Sequence, residues 1–130
     1  MKALLAAVLL AISSDVVAAP LTVKIGENWV FSVRNGNPAG ARKVAGTAKP
    51  ATGQIMVSVR RLMGTSMIVT NASGNAYVFR AQLLKGGKLL TAKSCTLPAK
   101  PDPVFEQWPQ QADAVRIDQF KPAPKGAGCP

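Results

Sequence analysis

The chain has 130 residues, 48% of them hydrophobic, and its 16 Lys and Arg against 6 Asp and Glu give a formal net charge of +10. It contains no histidine, which removes the commonest general base, the Ser-His and Cys-His nucleophile pairs and the usual zinc ligand. The composition therefore argues against most hydrolase mechanisms and indicates a small basic domain that attracts anions.

The first predicted element is a signal peptide at residues 1–18. Lys2 precedes an apolar run at residues 3–12, and small residues follow up to Ala19, which is the layout of a secretory signal. The run is too short to cross roughly 30 Å of hydrocarbon. Cleavage after Ala18 is preferred, because cleavage one residue later would place Pro20 directly after the scissile bond. We expect an exported, periplasmic or secreted bacterial protein whose mature chain has no transmembrane segment.

Short segments of alternating apolar and polar residues come next, and this period of two is typical of half-buried strands. A turn at residues 26–28 separates the first two segments. The apolar positions of three segments are Leu21, Val23 and Ile25, then Trp29, Phe31 and Val33, and then Ile55, Val57 and Val59.

Residues 35–54 form a long connection that is rich in Gly, Ala and Pro and carries Arg42 and Lys43. Loops of this length in a compact domain are usually functional or disordered. If residues 41–45 form a short edge strand, the segment becomes two ordinary loops.

A Gly-Gly pair at 86–87 predicts a hairpin with a two-residue type I′ turn. In that register Leu83 lies opposite Leu90 on an apolar face. Arg80 lies opposite Lys93 on the other, polar face. The separation of apolar from polar residues supports this register.

A second hairpin is predicted immediately before the first. A three-residue loop at 73–75 would pair Val69 with Phe79 and Met67 with Ala81, which places all four side chains on one apolar face. A two-residue turn at the same place would put polar residues on that face, so we reject it.

The C-terminal third begins with an extended, Pro-rich connector at residues 98–103, which is followed by the segment at 104–109. Val115 and Ile117 then predict one last strand, which we expect at a sheet edge. A Pro- and Gly-rich tail occupies residues 121–130.

Cys95 and Cys129 are the only cysteines of the chain. An even count in a small exported domain indicates a disulfide. This bridge would tie the C-terminal tail to the body of the domain.

Seven or so short strands separated by turns predict a single antiparallel β-sandwich over residues 19–120, with a small β-barrel as the alternative. The pattern resembles the immunoglobulin-like modules in strand count and spacing over roughly residues 20–120. It lacks their Cys…Trp…Cys arrangement, because the Cys pair lies at the C-terminal end. The resemblance implies a sandwich architecture and no particular function.

Glu106 next to Trp108 is the one arrangement that suggests catalysis, since a glycosidase combines carboxylates with a sugar-stacking ring. Such an enzyme needs two carboxylates flanking a bond, and nothing in the sequence places a second one opposite Glu106. We therefore interpret Glu106 as a surface residue next to a rim aromatic. No phosphate loop, dinucleotide fingerprint or calcium loop is present, so we expect no enzyme, cofactor or metal.

Outward-facing cations are the remaining functional signal, although charges spread along a chain can equally serve solubility. We expect a non-catalytic binding module of the bacterial periplasm or envelope, whose partner is an anionic envelope polymer or an acidic protein. Nucleic acid is disfavoured because no aromatic rings are interleaved on the basic face. The alternative is a protein–protein interaction module or inhibitor that uses the 35–54 loop or a strand edge. The candidate binding residues are Arg60, Arg80 and Lys93, with Arg42 and Lys43 as a flap.

Overall fold

The computed structural model describes residues 17–124, which form nine β-strands in two antiparallel sheets. The four-stranded sheet has the order β1-β9-β6-β7 and the five-stranded sheet the order β3-β2-β4-β5-β8. The two sheets of the described residues do not close into a barrel, so the predicted all-β sandwich is confirmed. The strands are β1 (Leu21–Lys24), β2 (Asn28–Arg34), β3 (Asn37–Lys43), β4 (Ile55–Arg60), β5 (Thr65–Asn71), β6 (Tyr77–Lys85), β7 (Lys88–Ala92), β8 (Val104–Trp108) and β9 (Ala114–Pro122).

The core lies between the sheets and is built from the alternating apolar positions. In β1, for example, Leu21 and Val23 are buried whereas the residues between and after them are exposed. Removing these side chains from water is the main source of stability of such a fold. The most deeply buried side chains include Val23, Leu83 and Ile117 from the four-stranded sheet and Phe31, Ile55, Val57 and Met67 from the five-stranded sheet.

The β6–β7 hairpin forms as predicted. Ala81 pairs with Ala92, and the pairing continues to the turn. Gly86 and Gly87 have φ angles of 57° and 81°, as the two central residues of a type I′ turn require. Leu90 lies at the sheet edge and keeps 41% of its surface exposed.

The predicted hairpin between β5 and β6 is wrong. Val69 of β5 pairs with Val57 of β4 and with Val104 of β8, whereas Phe79 lies in the other sheet. Residues 73–75 therefore connect the two sheets. The prediction failed because two strands that point their apolar side chains at one core can lie side by side or face each other from opposite sheets.

The last strand is not at an edge, contrary to the prediction. β9 pairs with β1 on one side, where Leu21 lies opposite Ile117, and with β6 on the other, where Ala81 lies opposite Ile117. A period of two shows which residues of a strand face the core, but it does not give the order of the strands.

The 35–54 segment contains a full edge strand, β3, which begins four residues earlier than the predicted edge strand at 41–45. The Val44 N–H continues the pairing with β2 by donating to the Asn28 carbonyl at 2.8 Å. The remaining residues then lead to β4, and Gly46 lies beside the Asn28 and Arg60 side chains. The segment is thus an edge strand followed by one crossover loop.

The two ends of the chain extend beyond the described residues. Of the predicted signal peptide, Val17 and Ala18 are described, and Ala18 forms a β-bridge with Ala39 of β3. Cys129 and most of the predicted tail lie outside the described residues, so the disulfide with Cys95 stays a prediction. Residues 17–124 contain no helix that is long and apolar enough to cross a membrane.

Candidate anion-binding site

Arg80 lies on the outer face of the four-stranded sheet, where its charge is matched by a neighbour. Its Nε and Nη2 atoms donate to the two carboxylate oxygens of Asp118 at 2.8 and 2.6 Å. These bonds raise the pKa of Arg80. Asp118 itself is only 3% exposed. The Arg80 guanidinium is therefore committed to an internal ion pair.

Lys93 follows β7, and its carbonyl oxygen accepts a hydrogen bond from Trp108 Nε1 at 2.8 Å. The β6–β7 pairing ends one pair earlier, and Arg80 lies opposite Asp118 of β9 instead. The structure therefore does not contain the predicted cross-strand pair of Arg80 and Lys93.

Arg60 lies on the other sheet, so it does not share a face with Arg80. Its Nη2 donates to Asn28 Oδ1 at 2.7 Å and its Nη1 to the Val59 carbonyl at 2.9 Å. Arg42 and Lys43 end the edge strand β3. Arg60 Nη1 and Lys43 Nζ both contact Glu27, at its carbonyl and its carboxylate. The structure therefore brings Arg42, Lys43 and Arg60 to one end of the sandwich, whereas Arg80 and Lys93 do not join them.

A larger set of cations, which includes Arg42, Lys43 and Arg60, is brought together where four chain connections meet at this end of the sandwich. The connection between β8 and β9 contacts the other three. The Asp113 carbonyl accepts from Ile25 N–H at 3.2 Å, and its carboxylate accepts from Gly86 N–H at 3.0 Å. Arg61, in the β4–β5 connection, donates to the Ala112 carbonyl at 3.1 Å.

We call this part of the molecule the basic end. Two carboxylates of the described residues accompany its cations, Glu27 and Asp113. Seven positive and two negative charges leave the end with a net charge of +5. Its cationic residues are Lys24, Arg42, Lys43, Arg60, Arg61, Lys85 and Lys88.

Both carboxylates of the basic end are engaged within the protein. Glu27 Oε1 accepts from Trp29 Nε1 at 3.0 Å and from the Lys24 N–H at 3.1 Å. Glu27 Oε2 lies 3.0 Å from Lys43 Nζ. The bond from Trp29, the bond from Lys24 and the contact with Lys43 lower the pKa of Glu27 to about 2. Asp113 binds the β6–β7 turn. Glu27 thus offsets the charge of Lys43, and the basic end keeps its excess of five positive charges.

Four cations of this end were not predicted as binding residues, namely Lys24, Arg61, Lys85 and Lys88. The prediction rested on cations of strand faces, whereas these four lie in or next to connections. Lys85 and Lys88 do flank the predicted Gly-Gly turn, which was a signal that the turn is basic. Nothing in the sequence showed that the β4–β5 connection would lie at the same end.

Glu106 and Trp108 lie on the inner side of β8, and each is only 7% exposed. The interpretation of Glu106 as a surface residue is therefore wrong. Its Oε2 accepts the Cys95 N–H at 2.8 Å, and burial raises its pKa above the ordinary glutamate value despite this bond. Trp108 has its indole N–H bonded to a backbone carbonyl. Glu106 is therefore an ionisable group at the edge of the core.

Replacing Glu106 with Gln should stabilise the protein at neutral pH. Because the pKa is higher in the folded than in the unfolded state, the folded protein binds the proton more tightly, and stability falls as pH rises above the ordinary glutamate pKa of about 4.3. Glutamine keeps an acceptor for Cys95 and has no charge to bury. Melting temperatures across pH should show a gain for Glu106→Gln at neutral pH that disappears in acid. A variant less stable than the parent at neutral pH would contradict this account.

No known protein family, curated protein or solved structure matches this chain. Among residues 17–124, no group of three or more Cys, Asp or Glu side chains is placed to hold a metal ion.

Proposed function

We propose that this chain is an exported, non-catalytic binding module for anionic partners, and that the basic end is its binding surface. The observation that carries the proposal is the gathering of seven cations at one end of the sandwich, where the two accompanying carboxylates are already bound to the protein. Charges of one sign on a single surface raise the local concentration of oppositely charged partners.

The basic end is a better candidate for the binding surface than the strand faces that carry Arg80 and Lys93. Arg80 is neutralised by Asp118, whereas Lys85 and Lys88 are exposed beside a two-residue turn. Connections at the end of a β-sandwich are also held in place by the sheets, and binding residues often lie on such loops.

The double variant Lys85→Ser/Lys88→Ser should elute from immobilised heparin at a clearly lower salt concentration than the parent, because salt screens the interactions of exposed charges. The matched control is Lys100→Ser/Lys121→Ser, which removes the same charge from exposed residues outside the basic end. The control should elute close to the parent. Equal shifts for both variants would show that net charge, and not the basic end, governs binding.

A second candidate function is protein binding through the edge of β3, and one observation favours it. The Ala19 N–H donates to the Pro38 carbonyl at 3.0 Å, and the Gly40 N–H donates to the Val17 carbonyl at 3.3 Å. The edge thus accepts an extended segment. Cleavage after Ala18 would release the Gly40 N–H for a strand of a partner. A partner bound with fixed stoichiometry and little salt dependence would favour this function.

A further inference from the structure

The tip of the β4–β5 connection, residues 61–64, belongs to the basic end and displays two large apolar side chains. Leu62 is 59% exposed and Met63 is 81% exposed, the highest value for a large apolar side chain among the described residues. Single exposed apolar residues are common on protein surfaces. Two adjacent ones at a connection tip that also carries Arg61 are a more specific arrangement.

Hydrogen bonds hold the connection in place at this tip, so the exposure of its apolar side chains is a fixed feature of the structure. The Leu62 carbonyl accepts from Ser66 Oγ at 3.0 Å and from Gln107 Nε2 at 3.2 Å. Arg61 donates to the Ala112 carbonyl at 3.1 Å. These bonds fix the backbone while the two apolar side chains remain in water.

Met63 also has a φ of 51°, a left-handed conformation that is unfavourable for a residue with a side chain. Glycine or asparagine would adopt it at lower cost. Strained residues of this kind occur often at functional sites, and here the strained residue carries the most exposed large apolar side chain among the described residues.

We propose that the anionic partner of the basic end is the surface of a lipid bilayer, and that Leu62 and Met63 insert into it. This inference rests on the proposed function. Exposed cations such as Lys85 and Lys88 would contact anionic headgroups, and the two apolar side chains would enter the boundary between headgroups and acyl chains. A soluble polyanion would satisfy the cations but would offer Leu62 and Met63 no apolar surroundings, so the lipid surface accounts for both features.

The test measures co-sedimentation of the protein with vesicles of phosphatidylcholine, with and without phosphatidylglycerol. We expect binding to the anionic vesicles. Lys85→Ser/Lys88→Ser should weaken it by about fivefold per lysine. Leu62→Ser/Met63→Ser should weaken it by roughly tenfold or more while heparin elution stays unchanged. Phe105→Ser, which removes a 69% exposed apolar side chain from the outer face of β8, is the matched control and should bind like the parent.

The outcomes separate the two proposals. If Leu62→Ser/Met63→Ser binds anionic vesicles as well as the parent does, while the lysine variant binds less, insertion is overturned and anion binding stands. If the parent binds heparin but not the vesicles, the partner is a soluble or polymeric anion. If Lys85→Ser/Lys88→Ser binds both heparin and the anionic vesicles as well as the parent does, the proposed function fails as well.

A spectroscopic measurement tests insertion without relying on affinity. In Met63→Trp, the added indole should shift its fluorescence to shorter wavelength with anionic vesicles and be quenched by brominated acyl chains. If the Met63→Trp protein binds the vesicles but its added indole shows neither the wavelength shift nor the quenching, insertion is overturned.

Discussion

Replacing Gly64 with alanine should destabilise the fold by about 3 kcal/mol or more. Gly64 has a φ of 101°, and it packs directly on the chain at the end of β8. A Cβ atom would collide with the Trp108 carbonyl and lie 2.8 Å from the Pro109 carbonyl oxygen. These obstacles are backbone atoms that cannot rotate away, so the two connections would have to separate.

The control for Gly64→Ala is Gly26→Ala at the same end of the molecule. Gly26 has a similar φ of 90°, but a Cβ there meets no atom within 4 Å. It should therefore cost only the backbone strain, about 1–2 kcal/mol. Urea denaturation of both variants measures the difference. Equal losses of stability would mean that the chain at Trp108 moves freely, and the rigid tip invoked for membrane insertion would lose its support.

The parts of this fold that depend on nearby residues could be read from the sequence. The β6–β7 hairpin was predicted in the correct register because a Gly-Gly turn and the alternation of side chains both specify it. The relation of β5 to β6 could not be predicted in the same way. Val69 and Phe79 both face the core, and the sequence does not show whether they do so from one sheet or from two.

The candidate site was less predictable than the fold, because it depends on contacts between distant connections. Arg61 and Gly86 are 25 positions apart in the sequence, yet both bind the Ala112–Asp113 part of a third connection. Arg80 was predicted to bind a ligand, but in the structure it is paired with Asp118. Asp118 comes from a strand that was predicted at a sheet edge. The sequence shows how many cationic residues the chain has, but the topology decides which of them lie next to a carboxylate of the protein.

Phe120 shows how a local irregularity changes what alternation predicts. Val115 and Ile117 face the core, so strict alternation would turn residue 119 inward and Phe120 outward. Gln119 instead adopts a φ of 54°, and the pairing of β9 with β6 shifts by one residue next to it. This β-bulge inserts one extra residue. Phe120 consequently points into the core, where it is 4% exposed.

Phe120→Ala should therefore be among the most damaging single changes in the described residues, costing about 3–5 kcal/mol. The ring stacks on Phe79 of the four-stranded sheet at 5.1 Å between centroids and meets Phe31 of the five-stranded sheet edge-on at 5.7 Å. Truncation would open a cavity between the sheets. Phe105→Ala is the matched control, since that ring is 69% exposed, and it should change stability by no more than about 0.5 kcal/mol. Thermal and urea unfolding would measure both, and a Phe120→Ala variant as stable as Phe105→Ala would refute the inward position of Phe120.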